Sequence, residues 1–122
     1  MIRAWLIAAA LGGFLSVAAG AAAAHLPAGE RGAELLRTGA LYGMVHGAAL
    51  IAVTAMARSR DRLGLPLTIA GWGFAAGMLL FSLSLFALAL SGREWLGMIT
   101  PFGGAGLLVG WAALAFHGSS QR

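Results

Sequence analysis

The sequence predicts an all-α integral membrane protein, a bundle of four transmembrane helices. Two observations carry the prediction. Sixty per cent of the 122 residues are hydrophobic and only 10% are charged, and the charges gather in short clusters between long apolar runs. A soluble domain carries roughly 25% charged residues, so this apolar excess needs lipid as its solvent. The first run, Ala4 to Ala24, has 21 positions without a charge. Twenty lie between Arg37 and Arg58, where Tyr42 and His46 are the ionisable groups, and 30 between Arg62 and Arg93. Another 27 lie between Glu94 and Arg122, with His117 among them. A span needs about 20 apolar residues to cross a hydrocarbon core of about 30 Å. Four runs pass that test. Helices are the expected form, because a closed barrel needs many alternating strands of about ten residues.

The chain reads as one membrane domain over residues 1–122, with spans of about 4–24, 39–57, 65–90 and 100–116. Met1 to Ala24 also resembles a signal peptide, with Arg3 before an apolar stretch and small residues at its end. Its apolar part exceeds the roughly 7–15 residues usual for such a segment, which favours an uncleaved first span; cleavage would leave three. His25-Leu26-Pro27-Ala28-Gly29 reads as a turn. Glu30 to Thr38 has helical potential and either lies in the interface or extends span two. Arg58 to Arg62 is a tight charged loop, and Pro66 suits the first turn of span three. Ser91-Gly92-Arg93-Glu94 forms the next loop, with Trp95 at the interface. Thr100 is the expected N-cap of span four and Pro101 its first helical residue, with Trp95 to Ile99 as a lead-in. The alternative is a longer helix kinked at Pro101.

The net charge of +4 comes from eight arginines and no lysine. These arginines sit in short loops without interleaved aromatic residues, so they point to topology and anionic lipid rather than to nucleic acid. With the N-terminus inside, Arg3, Arg58, Arg60, Arg62 and Arg122 lie on the inner side and Arg31, Arg37 and Arg93 on the outer. The dense middle loop decides for cytoplasmic ends in an inner (plasma) membrane. The chain has no cysteine, which removes disulfides, thiolate chemistry and Cys-ligated metals.

Each span carries small residues at four-residue spacing, the pattern that lets helix backbones approach in lipid. These are Gly12, Ser16 and Gly20; then Gly39, Gly43 and Gly47; then Gly73 and Gly77, with Ser84 on the same face; then Gly106 and Gly110. On a helical wheel, Gly39, Tyr42, Gly43, His46, Gly47 and Thr54 share an arc of roughly 140°. Leu41, Met44, Val45, Ala48, Ile51 and Ala52 take the opposite side. Tyr42 and His46 are therefore expected to face the bundle interior.

Several segments together resemble one family. They are Gly20-Ala21 and Ala24-His25 at the end of span one, Tyr42-Gly43-Met44-Val45-His46, Ala70-Gly71-Trp72, Gly77 to Ser82, Ile99-Thr100-Pro101-Phe102-Gly103-Gly104, and Gly110-Trp111. The pattern is similar to the domain of unknown function 423, also called the transmembrane protein 256 family, over nearly the whole chain. The resemblance implies a small bacterial inner-membrane protein with eukaryotic relatives and no established activity. Members often carry Gln after the tyrosine, where Gly43 stands, and an aromatic residue before the second histidine, where Val45 stands. A site built on that Gln would be weakened here.

The candidate polar cluster is His25, Tyr42 and His46. His46 lies roughly 10 Å inside span two, and intramembrane ionisable residues are costly and often functional. The plainer reading is a neutral imidazole bonded to a carbonyl or hydroxyl. Two histidines without a carboxylate or thiol make a poor metal site, and bis-histidine haem is the remote alternative. Tyr42 reads as an interfacial anchor, His117 as a solvated terminus, and Gly103-Gly104 as either an anion-binding helix start or a packing element. Asp61, the one aspartate, lies remote from the outer-side histidines, so no catalytic set forms. No enzyme, metal or cofactor is expected. The leading functional reading is an accessory or interaction protein working through its glycine-lined faces in the bilayer, as a homo-oligomer or in a larger membrane complex. The second is small-ligand binding or transport centred on Tyr42 and His46, and a membrane enzyme is the third.

Overall fold

A computed structural model describes residues 1–121. Helix α1 spans Ile2–His25, α2 Gly29–Arg58, α3 Leu65–Ser91 and α4 Thr100–Ser119, and a 3₁₀ turn over Glu94–Met98 leads into α4. The first three helices, and α4 together with its 3₁₀ lead-in over Glu94–Ser119, are long and apolar enough to cross a membrane. The connections are so short that neighbours run antiparallel. Gly92 closes α3 in the left-handed region, at φ 72°, with its amide donating to the Leu88 carbonyl. Glycine reaches that conformation without the Cβ clash that other residues meet there.

The second helix begins at Gly29, so of the two readings of Glu30 to Thr38 the extension of span two is the one the structure takes. At 30 residues it is about 45 Å long, more than the roughly 30 Å of a hydrocarbon core. Thr100 is the first helical residue of α4, and Ile99 takes the cap position without a side-chain hydrogen bond. The 3₁₀ turn explains this. It runs directly into α4: its Leu96 carbonyl accepts from the Ile99 amide, and the Ile99 carbonyl in turn accepts from Phe102 N–H. The Thr100 hydroxyl instead pairs with Ser84 Oγ on α3 at 2.6 Å.

The first three helices pack on one another, whereas α4 packs on α3 and on the 3₁₀ turn. The result is a three-helix core with a fourth helix on its flank. One apolar cluster centres on Trp5, Leu50, Phe74 and Met78, and a smaller one lies at the other end around Leu36 and Phe86. Between them, Ser82 Oγ donates to the Gly39 carbonyl at 2.8 Å, tying α3 to α2. Ser16 from α1 presses on Gly43 at the same level.

The glycine stripes are consumed inside this packing. A Cβ on Gly73 would lie 2.9 Å from the Gly106 carbonyl oxygen, and one on Gly77 would lie 2.7 Å from the Leu107 nitrogen. Gly103 abuts the Phe81 backbone, and Phe74 fills the space beside Gly110. Gly12 meets Met78, Gly39 meets Phe86, and Gly47 approaches the Ala9 carbonyl. Gly20 departs from the pattern, since its nearest neighbour would be Ala40 Cβ at an ordinary 3.9 Å. These faces are therefore interior surfaces and not free docking faces.

Gly77→Ala should separate α3 from α4, because the obstructing atoms are backbone. We expect a loss of about 1–3 kcal/mol, read by detergent unfolding with circular dichroism. Gly13→Ala, which meets nothing within 4 Å, should leave stability unchanged or raise it by about 0.5–1 kcal/mol.

Candidate functional site

His46 and Trp111 join the flanking helix to the core. The His46 ring is 6% exposed. Its Nδ1 lies 2.7 Å from the Tyr42 carbonyl oxygen one turn earlier. A carbonyl only accepts, so Nδ1 carries the hydrogen. The Trp111 indole N–H, which can only donate, reaches His46 Nε2 at 2.9 Å. Both ring nitrogens are thus engaged, and the imidazole is neutral in the Nδ1–H form. It accepts a bond from α4 while tied to its own helix.

Aromatic rings brace this contact. Trp111 stands edge-on to Phe74 at a centroid distance of 4.8 Å. Tyr42 stacks on Phe81 at 4.4 Å and on His46 at 5.8 Å. The sequence placed Tyr42 facing inward; the structure puts it at the margin, 40% exposed, because Phe81 occupies the inner position. Leu41, Met44, Val45, Ala48, Ile51 and Ala52 face outward.

Between α2 and α4 runs an open groove of about 610 Å³. Val45, Phe81, Pro101, Gly104 and Leu108 give it apolar walls, and Tyr42, His46 and Trp111 bring its polar groups. The volume falls in the roughly 300–1,000 Å³ range of small-molecule sites, which combine apolar walls with a few placed polar groups. The groove exists because α4 leans on α3 and meets α2 through the Trp111 hydrogen bond. Tyr42 and Pro101 lie toward one membrane face, and His46 and Trp111 lie deeper.

The structure does not bring His25 into this cluster. It is exposed at the end of α1. The helix starts at Gly29, so Tyr42 lies 13 residues, or roughly 20 Å, farther along α2. His117, read from sequence as a solvated terminus, is 8% exposed. The fourth helix continues to Ser119, and Arg60 folds over it to donate to His117 Nε2 at 3.3 Å. Gly103 serves packing. Among the described residues, no three His, Asp or Glu side chains converge as a metal site would require.

Trp111 is the partner that sequence reasoning missed. Tryptophan is usually placed at membrane interfaces, but Trp111 lies 11 residues into α4. A mid-span indole N–H needs an acceptor, and a mid-span histidine on another helix supplies one. That pairing of depths was the available signal.

Residues 19–104 match the family described as "Protein of unknown function (DUF423)". The chain belongs to this DUF423 family. A Haemophilus influenzae relative named "UPF0382 membrane protein" is 41% identical, covering 92% of this chain and 90% of the relative. The "UPF0382 membrane protein YwdK" of Bacillus subtilis is 34% identical, covering 90% and 91%. The "UPF0382 inner membrane protein YgdD" of Escherichia coli is 38% identical, covering 92% and 86%. No solved structure matches the chain. DUF423 membership accords with the membrane fold and names no chemistry for the groove.

Removing Trp111 leaves the buried His46 ring without its donor, and removing His46 leaves a lipid-facing indole N–H without its acceptor. Trp111→Phe and His46→Leu should each destabilise the protein by about 1–3 kcal/mol. The double variant should recover about 0.5–1.5 kcal/mol relative to the sum. A double-mutant cycle on detergent unfolding measures that coupling.

Proposed function

We propose that this DUF423 protein is a non-enzymatic inner-membrane protein that binds a membrane-dissolved amphiphile bearing a hydroxyl group in the α2–α4 groove. One observation carries the reading: a donor and an acceptor, the Trp111 indole N–H and His46 Nε2, meet in the wall of a groove with otherwise apolar lining. An inserted hydroxyl accepts from the indole and donates to the imidazole, replacing one hydrogen bond with two. The apolar part of the ligand lies along Val45, Pro101 and Leu108. Entry from lipid requires no dehydration of that part.

A role as an accessory subunit through glycine-lined faces has less support, because those glycines pack against their own neighbours. A helix of a second copy or of a larger complex remains the competing occupant of the groove. The name of the Escherichia coli relative supports the inner membrane as the location. The arginine-rich α2–α3 link supports cytoplasmic chain ends. Fusion of a fluorescent protein that matures only in the cytoplasm should give signal at the C-terminus; signal from a periplasm-specific reporter instead would invert the topology.

The ligand reading is tested by native mass spectrometry after mild extraction. The wild type should carry an organic adduct that Ala105→Trp, which fills the groove without touching the hydrogen-bond pair, no longer retains. An adduct retained by both proteins, or a stoichiometric protein partner displaced by the same substitution, would contradict it.

A further inference from the structure

Among the described residues, the excess of positive side chains belongs to one end of the bundle. The start of α1, the α2–α3 link and the end of α4 share one side; the α1–α2 turn and the α3–α4 connection share the other. On the second side, Arg31, Arg37 and Arg93 are balanced by Glu30, Glu34 and Glu94. On the first, among the described residues, Arg3, Arg58, Arg60 and Arg62 face one acidic side chain, Asp61.

The two ends also treat their arginines differently. At the balanced end, Arg31 and Glu94 form a two-point ion pair, with Nη1 to Oε1 at 2.9 Å and Nη2 to Oε2 at 3.1 Å. This is the only ion pair among the described residues. At the basic end Arg60 takes neutral partners. Its Nη2 donates to Gln121 Oε1 at 2.6 Å and to His117 Nε2 at 3.3 Å. The guanidinium is held in place with no carboxylate partner among the described residues. A guanidinium has five N–H donors in a fork, so those on Nη1 and Nε remain for another acceptor.

We propose that this end is a binding site for the phosphate headgroup of an anionic phospholipid, with Arg60 at its centre and Arg58 and Arg62 beside it. The depth is right. The link from Ser59 to Gly64 joins two membrane-spanning helices directly, so its arginines stay within about a Debye length, roughly 8 Å, of the headgroups. The residue type is right as well, because arginine matches phosphate oxygens with two parallel hydrogen bonds and lysine offers a point charge. Positive-inside topology accounts for basic residues at this end, but it does not require that one be fixed by neutral hydrogen-bond acceptors at the end of α4 and just past it. The site is separate from the groove and does not rest on it.

The test compares retention of phosphatidylglycerol and phosphatidylcholine of identical chains on the purified full-length protein, by native mass spectrometry. Wild type should retain phosphatidylglycerol preferentially. Arg60→Gln and Arg62→Gln should each lower that preference roughly fivefold, from about 1 kcal/mol per basic residue, and the triple Arg58, Arg60, Arg62→Gln variant should abolish it. Arg93→Gln at the other end should change nothing. The Arg62 side chain makes no hydrogen bond among the described residues, so its variant reads binding even if Arg60→Gln perturbs the end of α4. Equal retention of the two lipids by wild type, or an equal loss in Arg93→Gln, would overturn the proposal. Displacement of phosphatidylglycerol by millimolar inorganic phosphate would overturn the lipid as the source of the phosphate.

Discussion

The close approach of α3 and α4 backbones at Gly73, Gly77, Gly103 and Gly106 governs the rest of this structure. Lipid tails are as apolar as the side chains they would meet, so burial from lipid gives helices little reason to associate. Cohesion comes from packing at short range, and short range requires that Cβ atoms be absent. The glycines of α4 match those of α3 and leave it no comparable match with α2. Its position on the flank follows from that, and the groove follows from its position.

Polar groups in such an environment need partners within the protein, and three of the bonds here join one helix to another. Ser82 bonds the Gly39 carbonyl, Ser84 pairs with Thr100, and Trp111 donates to His46. The His46 bond is the longest reach, crossing from the flanking helix to the core, and it fixes the imidazole as neutral. Trp5 Nε1 and Ser16 Oγ are buried without partners. Both side chains fill hollows beside glycines, Trp5 at Gly71 and Ser16 at Gly43, so steric fit sets their orientation.

The fold class was legible because hydrocarbon thickness converts directly into run length. Arg37, Arg58, Arg62 and Arg93 bound apolar runs that lipid reads as spans. Helix ends were less legible, because Glu30, Arg31, Glu34 and Arg37 cost little in water and a helix can pass through them. That uncertainty set Tyr42 13 residues into α2 rather than near its start and dissolved the three-residue cluster. The glycine pattern located the packing faces, yet spacing alone could not say which helix meets which, nor that Gly103 joins the crossing while Gly20 does not. Trp111 escaped notice because its significance depends on its depth relative to His46, a relation between two spans.

The most direct test of this arrangement is nitrogen NMR of His46 in the isotopically labelled protein in bilayers. The structure requires a neutral ring with the proton on Nδ1, and a correlation linking Nε2 to the indole proton of Trp111. A ring protonated on Nε2, or an Nε2 without that correlation, would mean that α4 does not lie against α2 as described, and the groove between them would go with it.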